Sequence, residues 1–285
     1  MRMMVDPNTA SNATLDWLAQ RSGRKSKALP FIAFDDIQVE VEKPWLMKNV
    51  LARGDTSSWI GGPGKEKSAI VTDLCVHLGT GWDWRGYRSK ERCAVVILAF
   101  ERADLMLRRL EAYKRKHKLA ELPVVVIRAP VDIMRPESVE ILTDTIRTVE
   151  ERFGLPVGVL VLDTYSKALA LGGGDENSAK DVNRFLGHLR IVETQTNVHV
   201  CLIGHTGKDE TRGHRGSNAH LGDVDLEITF HGHAPGNSQE HQWRAAVPER
   251  QCHGWRHLGH PGSRVGQCGR IDHAHRCRGA AACRR

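Results

Sequence analysis

The sequence predicts an α/β fold with a mostly parallel central sheet and helices on both faces. Three observations support this class. Five short apolar runs have the length of buried strands, segments of helical period lie between them, and one strand leads through a glycine-rich turn into a helix. Strands that are apolar on both faces need cover on both sides, which the intervening helices supply.

The strand candidates are runs rich in Val, Ile and Leu, at Ser57–Ile60, Ala94–Ala99, Val124–Arg128, Val157–Leu162 and Val198–Ile203. Apolar residues follow the i, i+3, i+4, i+7 spacing of an amphipathic helix within residues 71–78, and a similar period recurs within residues 139–149 and 182–189. The chain therefore alternates between strands and helices, which is the pattern of a parallel sheet.

Three segments are predicted along the 285 residues: a polar, partly disordered segment at 1–42, the α/β domain at 43–230, and a basic tail at 231–285. A short helix is expected near residues 15–20, and the basic run RSGRKSK is interpreted as a solvated linker rather than a nucleic-acid contact. The tail holds nine arginines and three acidic residues, a net charge of +6, which leaves +1 of the total of +7 for residues 1–230. Nucleic-acid contact by the domain would thus depend on local patches.

The tail shows neither strand nor helix periodicity, and we expect it to be disordered. A zinc site is disfavoured because no C-x-x-C is present and the spacings match no common zinc module. Its composition, rich in Arg, Gly, Ala, His and Cys, favours out-of-frame translation of a GC-rich gene, with the last strands of the fold lost. The candidate zinc ligands are Cys252, His253, His257, Cys268, His273, His275, Cys277 and Cys283.

No run approaches the ~18 apolar residues of a membrane-spanning helix. The first twenty residues contain no apolar segment of signal-peptide type. We therefore expect a cytoplasmic protein without a membrane partner, and cysteines that are reduced thiols.

The segment WIGGPGKEKSAI, residues 59–70, fits the phosphate-binding pattern G-x-x-x-x-G-K-[ST] with one substitution. In such a loop, backbone amides at a helix N-terminus hold phosphates, the lysine contacts the β- and γ-phosphates, and the hydroxyl ligates Mg²⁺. A glycine turn without a ligand is disfavoured, because Lys-Ser at a strand–turn–helix junction is a specific arrangement. The candidate nucleotide-binding residues are Gly61, Gly62, Pro63, Gly64, Lys65, Glu66, Lys67, Ser68, Ala69 and Asp163.

Glu66 stands where the pattern has the glycine before the lysine, and it adds a carboxylate beside an anionic ligand. At ~4 Å and an effective dielectric of about 20, one such repulsion costs roughly 4 kcal/mol. This predicts weakened ATP binding unless the carboxylate turns to solvent or pairs with Lys65.

Three further polar residues follow strand candidates, at the edge where ligands bind in open parallel sheets. Glu101 is placed to orient and deprotonate an attacking water, with a helix N-terminal charge as the plain alternative. Asp163 closes the run VGVLVLD and has the position of an acid that holds Mg²⁺. His205 ends the run VHVCLIGH, where it would sense the γ-phosphate or would simply be a satisfied polar side chain.

In combination, four segments resemble the RepA-like AAA-type ATPases, a branch of the RecA-fold P-loop NTPases that includes a hexameric plasmid replicative helicase. They are PWLMKNVLARGDTSSWIGGPGKEKS, VVILAFERADLMLRRLEAY, VLVLDTYSKALALGGGDENSAKDVNRFLGHLR and CLIGHTGKDETRGHRGSNAHLGDVD. The resemblance covers residues 43–230 and implies a RecA-like core, ATP and Mg²⁺. It also implies a hexameric ring of identical subunits on single-stranded DNA, acting in replication of a plasmid, phage or integrated element.

Carried over on that resemblance, Lys67 and Ser68 are the Walker A pair and Asp163 the Walker B acid, with Ser68 and Asp163 as the metal ligands. Glu101 is the catalytic base, His205 a sensor-type residue, and Arg215 a finger that acts on the neighbouring subunit's nucleotide.

Two glycine-rich, charged segments, after Asp163 and after His205, are expected to be long functional loops. Their basic residues would contact nucleic acid or a neighbouring nucleotide, and are Lys167, Lys208, Arg212 and Arg215. An alternative function remains open, in which the chain is a catalytically impaired, nucleic-acid-binding relative.

Overall fold

The computed structural model of the chain describes residues 33–34, 42–205, 224–230 and, for the backbone alone, 243–246. The chain divides into two compact units, Met1–Lys43 and Pro44–Arg285, and nearly all described residues belong to the second. Three predicted features lie outside the described residues: the helix near residues 15–20, the basic run at 21–27 and the candidate zinc ligands of the tail.

The second unit alternates strands and helices from Trp45 onwards. In chain order its elements are β1 (Trp45–Met47), β2 (Leu51–Ala52), β3 (Thr56–Gly61), α1 (Lys67–Thr80), β4 (Ala94–Ala99), α2 (Ala103–His117), β5 (Val124–Ile127), α3 (Glu137–Phe153), β6 (Val157–Asp163), α4 (Tyr165–Leu171), α5 (Ala179–Thr196), β7 (His199–Ile203), β8 (Leu226–Phe230) and β9 (Trp243–Ala246).

The central sheet has the strand order β5-β4-β6-β7-β3-β8-β9. Every pair is parallel except β8 with β9. The predicted fold class, α/β with a mostly parallel central sheet, is therefore confirmed. The five predicted strands are all present, and their ends differ from the prediction by one residue at most.

Side chains alternate along each strand between two apolar cores, one on each face of the sheet. Along β4, for example, Val96 and Leu98 face the core beneath α3, α4 and α5, whereas Val95 and Ile97 face the core beneath α1 and α2. Both faces of the sheet are thus covered, as the doubly apolar strands required. Within the described residues, no helix is long and apolar enough to cross a membrane.

The structure corrects the prediction in two segments. The first residues after Asp163 form α4 rather than an open loop, because Tyr165, Ala168 and Leu169 bury their side chains against the sheet. Only residues 172–178 connect α4 to α5. In the tail, where no strand was predicted, β9 pairs antiparallel with β8, from Glu227 opposite Ala246 to Phe230 opposite Trp243.

A buried polar network ties β2, β3 and β7 together. Nδ1 of His199 lies 2.8 Å from the Ala52 carbonyl, which can only accept, so this nitrogen carries the ring proton. Nε2 therefore accepts from the Ser57 hydroxyl at 2.7 Å, and the Trp59 indole donates to Ser57 Oγ at 2.9 Å. Ser57 is the shared member, since both neighbours depend on its single oxygen.

Replacing Ser57 by alanine should lower the free energy of unfolding by about 1–3 kcal/mol, because a buried imidazole nitrogen and a buried indole N–H lose their partner. Urea unfolding measures this change. The matched control is Thr148→Ala, which removes an exposed hydroxyl that donates to the Asp144 carbonyl at 2.8 Å. The control should change stability by no more than about 0.5 kcal/mol. Equal losses in the two variants would contradict the role given to the network.

Candidate active site

Four chemically active side chains meet at the carboxyl edge of the sheet. Lys67 begins the helix that follows β3, while Glu101, Asp163 and His205 follow or end β4, β6 and β7. The register brings these ends together, since Ala99 pairs with Asp163 and Asp163 pairs with Ile203. The Glu101 amide donates to the Asp163 carbonyl at 3.1 Å. The arrangement that the sequence predicted at one edge is therefore present.

The loop from Gly61 to Glu66 joins β3 to α1, and glycine is required at two of its positions for different reasons. A Cβ at Gly61 would lie 2.9 Å from both the Cβ and the carbonyl oxygen of Phe230, its partner on the adjacent strand β8. Gly64 has a φ of 76°, in the left-handed region that favours glycine. The phosphate-binding pattern does not predict this close approach of β8 to Gly61.

Glu66 adopts a left-handed backbone, with φ 58° and ψ 20°, immediately before the first residue of α1. This conformation explains why the phosphate-binding pattern has glycine here, since a non-glycine residue in this region costs on the order of 1–3 kcal/mol. The Glu66 side chain is exposed and does not cap the helix. The structure therefore leaves Glu66 exposed rather than enclosed by the loop.

Lys67 is only 6% exposed, and three acceptors hold its ammonium group. It donates to the carbonyls of Gly61 and Gly62 at 2.8 and 3.0 Å, and to Nδ1 of His205 at 3.3 Å. Because an ammonium only donates, this ring nitrogen of His205 is the acceptor and the ring proton lies on Nε2. Burial lowers the pKa of Lys67 to about 8, against the opposing effect of the Asp163 and Glu101 charges.

Asp163 is 4% exposed and accepts a hydrogen bond from the Ser68 hydroxyl at 3.0 Å. Burial raises its pKa from 3.8 to about 6, and the Glu101 charge acts in the same direction. The Ser68 hydrogen bond and the positive charges of Arg109 and Lys67 oppose this shift. Arg109, on α2, was missed from the sequence.

The remaining candidates differ in how well the structure places them. The Glu101 side chain is 35% exposed at the rim, with Arg102 Nε 3.8 Å from its carboxylate. Lys167 is exposed on α4. Pro63, Lys65 and Ala69 lie in the loop and the first turn of α1 as expected. Outside the described residues lie Lys208, Arg212 and Arg215.

A family model described as an AAA domain matches residues 22–211, about two thirds of the chain. The chain belongs to the AAA domain family. These residues therefore form an AAA-type P-loop ATPase domain. Membership in the RepA-like branch stays a prediction.

Among solved structures, the chain is similar to a KaiC-like protein from the hyperthermophilic archaeon Pyrococcus horikoshii OT3. The two are 14% identical, the match covers 71% of this chain and 82% of the other, and the TM-score is 0.44. No curated protein matches the sequence.

Replacing Glu66 by glycine should raise the free energy of unfolding by about 1 kcal/mol, because glycine adopts the left-handed backbone without strain. Chemical denaturation of the two proteins measures the difference. Lys65→Gly is the control, since Lys65 is not among the residues with positive φ and should instead lose stability. A loss of stability in Glu66→Gly similar to that in the control would contradict the strain.

Proposed function

We propose that the chain binds ATP with Mg²⁺ at the carboxyl edge of its sheet and hydrolyses it. The observation that carries this proposal is the 3.0 Å hydrogen bond between Ser68 Oγ and Asp163 Oδ1, next to the buried ammonium of Lys67. It joins the start of the loop helix to the end of β6. A hydroxyl, a carboxylate and an ammonium thus lie together beneath a helix N-terminus, which favours anions.

The residues present fit a magnesium ion by their chemistry. Mg²⁺ takes oxygen ligands and is held by few protein groups together with substrate phosphates. Ser68 and Asp163 supply a hydroxyl and a carboxylate oxygen within hydrogen-bonding distance of each other. When bound, the metal would neutralise charge on the phosphates.

Lys67 would be the residue that reaches the phosphates. Its three protons are used by Gly61, Gly62 and His205. A contact with phosphate would replace at least one of these acceptors, and the amides of Lys67 and Ser68, in the first turn of α1, have no acceptor within the helix. The loop and the first turn would thus supply both a cation and free N–H donors to the same anion.

Glu101 is the proposed general base. Its side chain is partly exposed, so that water can reach it, and its backbone is fixed against Asp163 by the 3.1 Å amide contact. A carboxylate at hydrogen-bond distance from an attacking water can accept its proton and orient it. His205 would report phosphate occupancy, because any change in the position of Lys67 alters the hydrogen bond that the two share.

We further propose, on the resemblance to RepA-like ATPases, that the chain works as a ring of identical subunits on single-stranded DNA in replication of a mobile element. The exposed Lys167, on the helix that directly follows Asp163, is suitably placed for a contact that responds to the nucleotide. Arg215 keeps its proposed role as a finger toward the neighbouring subunit.

A second candidate function is a catalytically impaired, nucleic-acid-binding relative. The left-handed backbone of Glu66 favours it, because a strained residue next to Lys67 can hold the loop less firmly. ATP binding by the unmodified chain and by Glu66→Gly separates the two candidates. Equal affinity would reject impairment by Glu66, whereas binding by the glycine variant alone would establish it.

ATP turnover should be measurable with the unmodified chain and should respond to single-stranded DNA. Glu101→Gln should lower turnover about 10²- to 10⁴-fold while ATP binding persists, because only proton transfer is removed. Lys67→Ala should lose both binding and turnover, whereas Lys65→Ala, an adjacent loop lysine, should lose little. A turnover no higher than that of Lys67→Ala, with and without DNA, would reject hydrolysis.

Affinity for Mg²⁺-ATP should be highest between about pH 6 and pH 8. Binding needs an ionised Asp163 and a protonated Lys67, whose pKa values are about 6 and about 8, so affinity should fall about tenfold for each pH unit outside this range. Calorimetric titration at several pH values measures this profile.

Asp163→Asn should bind more weakly but should lose the acid limb of the profile. Because the folded pKa of Asp163 lies above 3.8, protonation of this group between pH 6 and pH 4 stabilises the fold, so unfolding through Asp163 cannot explain the acid limb. A flat profile from pH 5 to pH 9 would contradict the assignment of the two residues.

A further inference from the structure

An aromatic and basic surface lies where α1 and α2 end, away from the candidate active site. We call it the α1–α2 surface and define it by Trp82, Tyr113, Lys114, Lys116, His117 and Lys118. Helix α1 runs from the phosphate loop at Lys67 to Thr80, 14 residues or roughly 20 Å. The surface is therefore at the opposite edge of the sheet from Ser68 and Asp163.

Trp82 is held in place by the turn that ends α1. Gly81 has a left-handed φ of 78°, and the Trp82 amide donates to the His77 carbonyl at 3.0 Å, which closes the turn. The His77 ring also donates from Nδ1 to the Asp83 carbonyl at 2.7 Å, and its edge meets the Trp82 ring at 5.9 Å. His77 thus holds both the backbone amide and the ring of Trp82, although Trp82 is 38% exposed.

Helix α2 extends the aromatic surface. The His117 ring lies 5.2 Å from Trp82, and Tyr113, one turn earlier, stacks on His117 at 5.8 Å and 15°. The Tyr113 hydroxyl donates to Asp73 of α1, which also accepts from the Trp84 indole at 3.0 Å. The bond to Asp73 anchors Tyr113 to α1. Trp82 and His117 are exposed to solvent.

Three lysines adjoin Tyr113 and His117 in sequence, at the end of α2. Lys114, Lys116 and Lys118 are exposed, and no ion pair involves them among the described residues. Residues 108–118 carry six lysines and arginines against one acid, Glu111, which pairs with Arg115 at 2.7 Å. Cations in the last turn of a helix favour its dipole, which accounts for some of this charge. The dipole does not account for a large indole held in solvent beside it.

We propose that the α1–α2 surface binds single-stranded nucleic acid, with bases stacked on Trp82 and His117 and phosphates contacted by the three lysines. Aromatic platforms in a positively charged groove are the recurrent means of holding single strands without sequence preference. A duplex would present phosphates to the lysines, but its stacked bases could not reach the indole. The site differs from the loops after Asp163 and His205, and it requires neither ATP nor magnesium.

The test uses the full chain and a fluorescently labelled oligothymidylate, with anisotropy measured in the absence of ATP and Mg²⁺. Trp82→Ala should weaken binding about tenfold or more, whereas Trp82→Phe, which keeps a ring, should retain most of the affinity. Lys114→Glu combined with Lys116→Glu should weaken binding and reduce the slope of log K against log salt by about 1.4, about 0.7 for each lost phosphate contact.

The matched charge control is Arg147→Glu combined with Arg152→Glu, two exposed arginines on α3 at the other face of the sheet. It changes the net charge by the same amount and should leave the slope unchanged. Wild-type binding by Trp82→Ala, or equal losses in the two charge-reversal pairs, would overturn the proposal. So would a duplex that binds more tightly than the single strand. Because the assay contains neither ATP nor Mg²⁺, its outcome is independent of the ATPase result.

Discussion

The hydrogen bond from Ser68 to Asp163 is the contact on which the rest of the site depends. It connects the first turn of α1 to the end of β6, two elements 95 residues apart in sequence. The parallel register makes the contact possible, because β3, β7 and β6 lie side by side and end at the same edge. The same register places Glu101 against the Asp163 backbone. Burial then sets the electrostatics, raising the pKa of Asp163 and lowering that of Lys67.

Glu66 shows that a backbone angle matters in this loop as well as a charge. Viewed as a sequence, the residue appeared harmful because of its carboxylate beside a phosphate. In the structure, Glu66 is exposed, and its φ of 58° adds a cost of its own, because glycine would adopt this angle freely. The loop keeps its path from Gly61 to Lys67, and Lys67 still reaches the carbonyls of Gly61 and Gly62.

The sequence was sufficient for five of the seven strands in the central sheet and for the edge that carries the site, because short apolar runs and helical periods report burial directly. Helix α4 was not predicted, because glycines and charged residues follow it and indicated a loop. Its Tyr165, Ala168 and Leu169 side chains are nevertheless buried. Strand β9 has too few residues for any period, and its pairing with the edge of β8 depends on backbone hydrogen bonds. The ring contact between Trp82 and His117 joins the ends of two helices. A local sequence pattern cannot predict such a contact.

Calorimetric titration of ATP into the chain at pH 7, with and without Mg²⁺, tests the central claim most directly. The claim is that the loop after β3, Lys67, Ser68 and Asp163 form one triphosphate site. It predicts one ATP bound per chain, a tighter affinity with Mg²⁺ than without, and loss of that Mg²⁺ effect in Ser68→Ala. Binding that Mg²⁺ does not change, or that persists undiminished in Lys67→Ala, would contradict it.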